Sequence, residues 1–190
     1  MRSLHILLAS ASPRRKALVE ALGHTVTVAP VDVDEAEIGG ETPDGYVERV
    51  VAAKLAAARA RSSDTAWDAI LVADTIVVVD GRILQKPADD ADGAAMLGSL
   101  AGRAHAVTTR FAVLARDGRL HAESVRTTVV FRALEGDEIA WYVGTGEGRD
   151  KAGGYGIQGH GAAFVARIDG SYGAVVGLPS CEVAVALRAL

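Results

Sequence analysis

The stretch Leu4-His5-Ile6-Leu7-Leu8-Ala9-Ser10-Ala11-Ser12-Pro13-Arg14-Arg15-Lys16 decides the reading of the chain. An apolar strand ends in it, and a helix begins with the wrong charges. Leu4 to Ala9 has the length and composition of a buried strand. Ser12 is a good N-cap and Pro13 a good first helical residue, so Arg14, Arg15 and Lys16 fall in or beside the first turn. That turn carries the positive end of the helix dipole, where acids are favoured by about 0.3–1 kcal/mol each. Three cations there are a misfit that a phosphate removes, since free backbone N–H groups, the hydroxyls of Ser10 and Ser12 and two guanidiniums all suit one. A solvated basic turn is the competing reading of this stretch alone.

Outward from it, Ala17, Leu18, Ala21 and Leu22 recur at helical spacing until Gly23, and Thr25 to Ala29 reads as a second strand. Strand, helix and strand in alternation argue for an α/β fold. Asp32-Val33-Asp34-Glu35-Ala36-Glu37 then forms an acidic loop, and Thr42-Pro43-Asp44 opens a helix expected to run to Arg61. The inward stripe of that helix is Val47, Val50, Val51, Lys54, Leu55 and Ala58. Lys54 either snorkels out along its own stem or points into a cleft. From Ala69 to Val79 an apolar strand is interrupted once, at Asp74-Thr75. A carboxylate buried there without a partner costs several kcal/mol, so Asp74 calls for a cation, a metal or a water-filled cleft; a backbone hydrogen bond at a strand bend is the alternative.

Asp80-Gly81 signals a hairpin that returns through Arg82–Gln85 to Lys86-Pro87. Asp89, Asp90 and Asp92 lead a helix to Gly102, and Ala104–Ala115 and Leu120–Phe131 read as long strands around Asp117-Gly118. A short helix from Glu138 to Val143 bears Trp141 and Tyr142 as packing residues. Gly144–Gly161 is glycine-rich, and its Gly154–Gly159 matches G-x-G-x-x-G by letter only: no strand precedes it, and Ala163–Ile168 after it reads as a strand. Ala174–Leu178 reads as a last strand and Pro179–Leu190 as a closing helix.

With 190 residues, 49% of them hydrophobic, the chain can bury a full core and is expected to be one domain over 1–190. A net charge of −4 offers no general field for nucleic acid. The lone Cys181 forms no intrachain disulfide and fits a reducing cytoplasm. Residues 1–10 lack the pattern of a signal peptide, and no run of about 18 apolar residues suggests a membrane span. The five histidines share no metal-type spacing, and neither a Walker motif nor a Gly-x-Ser-x-Gly elbow is present. What is left is two carboxylates, Glu35 and Asp74, the cations Arg14, Arg15, Lys54 and Lys86, and a glycine loop. That inventory suits attack by water on a polyphosphate with a divalent ion held by the carboxylates.

Taken together, Ala9-Ser10-x-Ser12-Pro13-Arg14-Arg15, Lys54, Ala73-Asp74-Thr75, Lys86-Pro87, Asp150-Lys151-Ala152-Gly153-x-Tyr155-Gly156-Ile157-Gln158-Gly159, Gly170-Ser171-Tyr172 and Val176-Gly177-Leu178-Pro179 resemble the Maf family of nucleotide pyrophosphatases, in order along nearly the whole chain. The resemblance implies an α/β fold, a mixed twisted sheet flanked by helices, with two lobes around a central cleft. It implies hydrolysis of nucleoside triphosphates to the monophosphate and pyrophosphate with Mg²⁺ or Mn²⁺. By matching position, Asp74 would accept the proton, Lys54 and Lys86 would serve catalysis, and Glu35 with Asp74 would hold the metal, Asp34 or Glu37 being alternatives to Glu35. Ser10, Arg14, Arg15, Thr75 and Gln158 would bind substrate, and the Tyr155–Gly159 segment resembles the branch that acts on dTTP and UTP rather than on 7-methyl-GTP. A homodimer in the cytoplasm, with no nucleic-acid or membrane partner, completes the expectation. A nucleotide-binding regulator of cell division with incidental hydrolysis, or a pyrophosphatase acting on ITP, XTP or 7-methyl-GTP, is the alternative.

Overall fold

In the computed structural model, which describes residues 2–62 and 66–190, β1 (His5–Leu8) runs into α1 (Pro13–Ala21) through the Ser12 cap, whose Oγ accepts from the Arg15 N–H at 3.4 Å. β2 (Thr25–Val28) pairs in parallel with β1, Ile6 opposite Val26. α2 (Pro43–Ala60) starts on Thr42, whose hydroxyl accepts from the Gly45 N–H, and Asp44 suits the positive end of its dipole. β3 (Ala69–Val79) pairs in parallel with β1, and β4 (Arg82–Leu84) folds back on it antiparallel. The chain continues as α3 (Asp90–Leu100), β5 (Ala104–Ala115), β6 (Leu120–Phe131), α4 (Gly136–Gly144), β7 (Val165–Asp169), α5 (Tyr172–Val176) and α6 (Ser180–Arg188). Among the described residues seven strands form one mixed sheet in the order β2-β1-β3-β5-β6-β7, with β4 on β3.

One element departs from the sequence reading. Ala174–Leu178 is not a strand: Ser171 Oγ accepts from the Ala174 N–H at 3.3 Å and starts the short helix α5, which ends at Gly177 with φ +121°. Five apolar residues cannot separate a period of 2 from one of 3.6, and the turn chemistry on either side decides.

The chain forms two compact units. The first comprises Met1–Asp74, Thr109–Val125 and Gly177–Leu190. Its strands are covered on both faces: Ile6, Leu8, Leu71, Phe111 and Val113 pack with Val19, Val183 and Leu187 of α1 and α6, while Leu7, Ile70, Val72, Ala112 and Leu114 pack with Val51 and Ala58 of α2. Burial on both faces is why β1 and the first half of β3 read as unbroken apolar runs. The second unit comprises Thr75–Thr108 and Arg126–Val176. There Val77, Val79, Val107, Val129 and Phe131 meet Leu97 and Leu100 of α3, Tyr142 of α4, Tyr155 and Phe164. The β6 segment of this unit alternates in burial from Thr127 to Phe131, as a strand with one covered face should.

Candidate active site

The centre of the first unit's polar cluster is Lys54. Its place on the apolar stripe of α2 keeps the side chain 10% exposed, and its Nζ donates at 2.7 Å to Asp74 Oδ1 and lies 2.7 Å from Glu35 Oε1. The lysine therefore does not snorkel, and the carboxylate that breaks β3 has an ammonium rather than a backbone N–H as its partner. Asp74 is 13% exposed and Glu35 is 45% exposed, so the ammonium joins a buried acid to one reaching toward solvent. The acidic loop is fixed in turn by α2, through Tyr46 Oη donating to the Glu35 carbonyl at 3.0 Å, Arg49 donating to the Ala36 carbonyl, and a two-pronged Arg49–Glu41 pair. Of the three acids that compete in sequence, Glu35 pairs with Lys54, while Asp34 Oδ1 accepts from the Ala36 N–H.

The three cations of the first turn of α1 divide. Lys16 pairs with Glu20 at the surface. Arg15 turns inward: Nε donates to the Gly177 carbonyl at 2.8 Å and Nη1 to Ser10 Oγ at 3.2 Å, and Ser10 is buried. Burial pushes this guanidinium below its ordinary range, Asp74 and Glu35 oppose that push, and Arg14 adds to it. Arg14 makes no hydrogen bond or ion pair among the described residues, and no acid occupies its turn. Three cations, Arg14, Arg15 and Lys54, thus stand against two carboxylates.

The second unit carries Thr75, Lys86 and Gln158. Thr75 is half-buried in β3, Lys86 is exposed just past β4, and Gln158 is exposed in the glycine-rich loop. The glycines of that loop answer to a residue the sequence reading passed over. Glu147 Oε2 accepts from the His160 N–H at 2.7 Å, and its Oε1 accepts from the Gly161 N–H at 3.1 Å and from Tyr142 Oη at 3.0 Å. The Gly156 N–H donates to Tyr142 Oη at 2.9 Å. A Cβ on Gly159 would lie 2.1 Å from Glu147 Oε2, so the close approach served here is to the chain's own carboxylate. Tyr142 is fully buried, whereas Trp141, also expected to pack, is 54% exposed and makes an edge-to-face ring contact with His160.

Residues 5–190 match the family described as Maf-like protein. The chain belongs to the Maf family. Relatives of this Maf protein include the dTTP/UTP pyrophosphatase of Burkholderia thailandensis, 50% identical over 97% of this chain and 92% of that one. That of Citrifermentans bemidjiense is 45% identical over 100% and 97%. Among solved structures, the Ham1 protein of Staphylococcus aureus aligns over 97% of this chain and 98% of its own with a TM-score of 0.55 at 14% identity. A HAM1 protein from Coxiella burnetii aligns over 98% and 100% with a TM-score of 0.50 at 16% identity. Those two likenesses concern the α/β fold alone.

The donor set of the Maf chain fits a hard divalent cation that arrives with phosphate. Asp74 and Glu35 each use one oxygen on Lys54. Among the described residues no group of three or more His, Cys, Asp or Glu side chains could cage an ion. Two carboxylates supplemented by phosphate oxygens and water are how Mg²⁺ is commonly bound. Among those residues no helix is long and apolar enough to cross a membrane.

Proposed function

We propose that this protein hydrolyses nucleoside triphosphates, dTTP and UTP in particular, to the monophosphate and pyrophosphate. The observation that carries the reading is the uncompensated Arg14 beside the inward Arg15, in the same unit as two carboxylates bridged by Lys54. The names of the relatives at 45–50% identity support the choice of dTTP and UTP.

The chemistry is attack by water on the α-phosphorus, with the bond from that phosphorus to the α,β-bridging oxygen breaking and pyrophosphate departing. Asp74 is the proton acceptor. Its Oδ1 is held by Lys54, which orients the carboxylate and leaves Oδ2 to take a proton from the attacking water. Arg14, Arg15 and Lys86 neutralise charge that moves onto the leaving phosphates, and Ser10, whose Oγ is fixed by Arg15 and by the Ser12 N–H, orients the phosphate-binding turn. Mg²⁺ or Mn²⁺ on Glu35 and Asp74 would supply further charge neutralisation. Thr75 and Gln158 read the base, since the Gln158 amide can donate to and accept from a pyrimidine edge. The proposal includes a cytoplasmic setting, which the unpaired and exposed Cys181 supports, and a homodimer acting as one domain per chain, which size-exclusion chromatography with light scattering would test.

The test is pyrophosphate release with Mg²⁺ or Mn²⁺ from dTTP, UTP, CTP, GTP, ITP, XTP and 7-methyl-GTP in separate reactions, with Asp74→Asn alongside. Release from dTTP and UTP that falls by about 10²–10⁴ in Asp74→Asn, with an unchanged melting temperature, is the expected result. Binding of dTTP without release would move the weight to a nucleotide-sensing regulator.

A further inference from the structure

Gln158 is exposed and belongs to no helix or strand, yet the backbone on both sides of it is fastened. Two residues before it, the Gly156 N–H is held by the buried Tyr142 hydroxyl; two and three residues after it, the N–H groups of His160 and Gly161 are held by Glu147. Tyr142 Oη then donates to Glu147 Oε1, which closes the two anchors into one network. Glu147 itself is set in place by the short turn after α4, where its N–H donates to Thr145 Oγ1 and its carbonyl accepts from Lys151 Nζ. No side chain fits at 159 or 161, so the backbone comes this close to its partners only as glycine: a Cβ on Gly161 would stand 2.6 Å from the Gly156 carbonyl oxygen.

We infer that Glu147 is the positioning residue for base discrimination: its carboxylate, tied to Tyr142, fixes the Tyr155–Gly161 loop so that the Gln158 amide is presented in one orientation. This rests on the reading of Gln158 as the base-reading group. Only a carboxylate fits the role, because both of its oxygens accept and three donors converge on them; an amide offers one accepting oxygen and places an N–H₂ against a backbone N–H. Burial pushes Glu147 up, but the hydrogen bonds from His160, Gly161 and Tyr142 outweigh that and hold it below its ordinary value, so the clamp stays ionised through neutral pH. A loop anchored in this way loses little orientational freedom when a base binds, which is where selectivity between similar pyrimidines is gained.

The experiment is steady-state kinetics on dTTP and CTP for the wild type, Glu147→Gln, Gln158→Ala and the double variant, with Tyr142→Phe as a second way to cut the network without removing the buried ring. Glu147→Gln should raise KM for dTTP about tenfold while kcat falls less than about threefold, and the dTTP-to-CTP ratio of kcat/KM should drop by about tenfold. In the Gln158→Ala background the same substitution should bring no further loss of discrimination. Tyr142→Phe should shift the ratio in the same direction. A wild-type ratio in both Glu147→Gln and Tyr142→Phe, or an undiminished further loss in the double variant, overturns the inference while leaving the pyrophosphatase reading standing. Absence of pyrophosphate release by the wild type overturns that reading itself.

Discussion

Replacing Lys54 with methionine keeps the buried stem and removes only the ammonium. Two 2.7 Å contacts are lost, to Asp74 Oδ1 and Glu35 Oε1. At an effective dielectric near 20 each gross attraction is about 6 kcal/mol, a ceiling that desolvation of the lysine largely offsets. Glu35 is 45% exposed, so its share is that of a surface pair, about 0–1 kcal/mol. Asp74 is 13% exposed, and stranding a carboxylate at that depth costs about 2–4 kcal/mol, somewhat less than for a fully buried acid. For a chain of this size that destabilisation corresponds to a fall in Tm of about 5–15 °C. Mg²⁺ should then behave differently toward the two proteins. With the ammonium gone, the carboxylate pair has only cations from solution to balance it, so added Mg²⁺ should raise the Tm of Lys54→Met more than that of the wild type, by the mass-action relation for a ligand that binds the folded state. Differential scanning calorimetry with and without Mg²⁺, on Lys54→Met and on Lys54→Met/Glu35→Gln, reads both effects. A Tm within about 1 °C of the wild type would refute the claim that Lys54 balances Asp74, and an equal Mg²⁺ response in all three proteins would refute the carboxylate pair as the cation's donors.

Other consequences follow from the same geometry. Arg14→Ala removes a cation from the positive end of α1, so stability should hold or rise by about 0.3–1 kcal/mol while KM for triphosphate increases at least about tenfold; a lower Tm with unaltered kinetics would return the turn to a solvated surface feature. Arg15→Lys keeps the charge but cannot donate to both the Gly177 carbonyl and Ser10 Oγ from a planar fork, and should lose about tenfold or more in kcat/KM, measured by pyrophosphate release. His105 is 4% exposed, faces the Tyr155 hydroxyl at 2.7 Å and the edge of Phe131, and is pushed down to about 4 by burial. The unfolded chain binds this proton near pH 6.5 and the folded chain only near pH 4, so stability is full above about 6.5 and falls as the pH drops between those values. From pH 7 to pH 5 the loss from this residue should be about 2 kcal/mol by urea unfolding, and His105→Gln should flatten that slope; an unchanged slope would refute the assignment.

Strand bounds were legible where the physics is local and repetitive. β3, β5 and β6 span the residues expected of them, because long runs of β-branched and apolar side chains ended by Asp-Gly turns have few other conformations. α5 was not legible, since its start depends on one Ser171 hydroxyl. At the candidate site, side chains out of keeping with their surroundings were visible: Lys54 on an apolar stripe, Asp74 inside a strand. Partners that are backbone groups were invisible. The carbonyl that holds Arg15 lies 162 residues away at Gly177, and the amides that hold Glu147 belong to a histidine and a glycine whose N–H groups carry no sequence signature. The one available signal for Glu147 was an acid between two glycines, Gly146 and Gly148.

Why the first unit tolerates so many local violations follows from how they offset one another. Lys54 alone on α2 would be a buried charge, and Asp74 alone in β3 would be another; together, with Glu35 brought over by Tyr46 and Arg49, they become a hydrogen-bonded network. Arg15 is drawn inward by the Gly177 carbonyl and by the field of Asp74 and Glu35. Arg14 has no such compensation. Folding alone gives no reason to keep a guanidinium at the positive end of a helix with no acid in its turn, and replacing it by alanine should cost the fold nothing. Among the described residues this cluster sets three cations against two carboxylates and so carries a net positive charge, and a bound polyphosphate is a species whose chemistry offsets it.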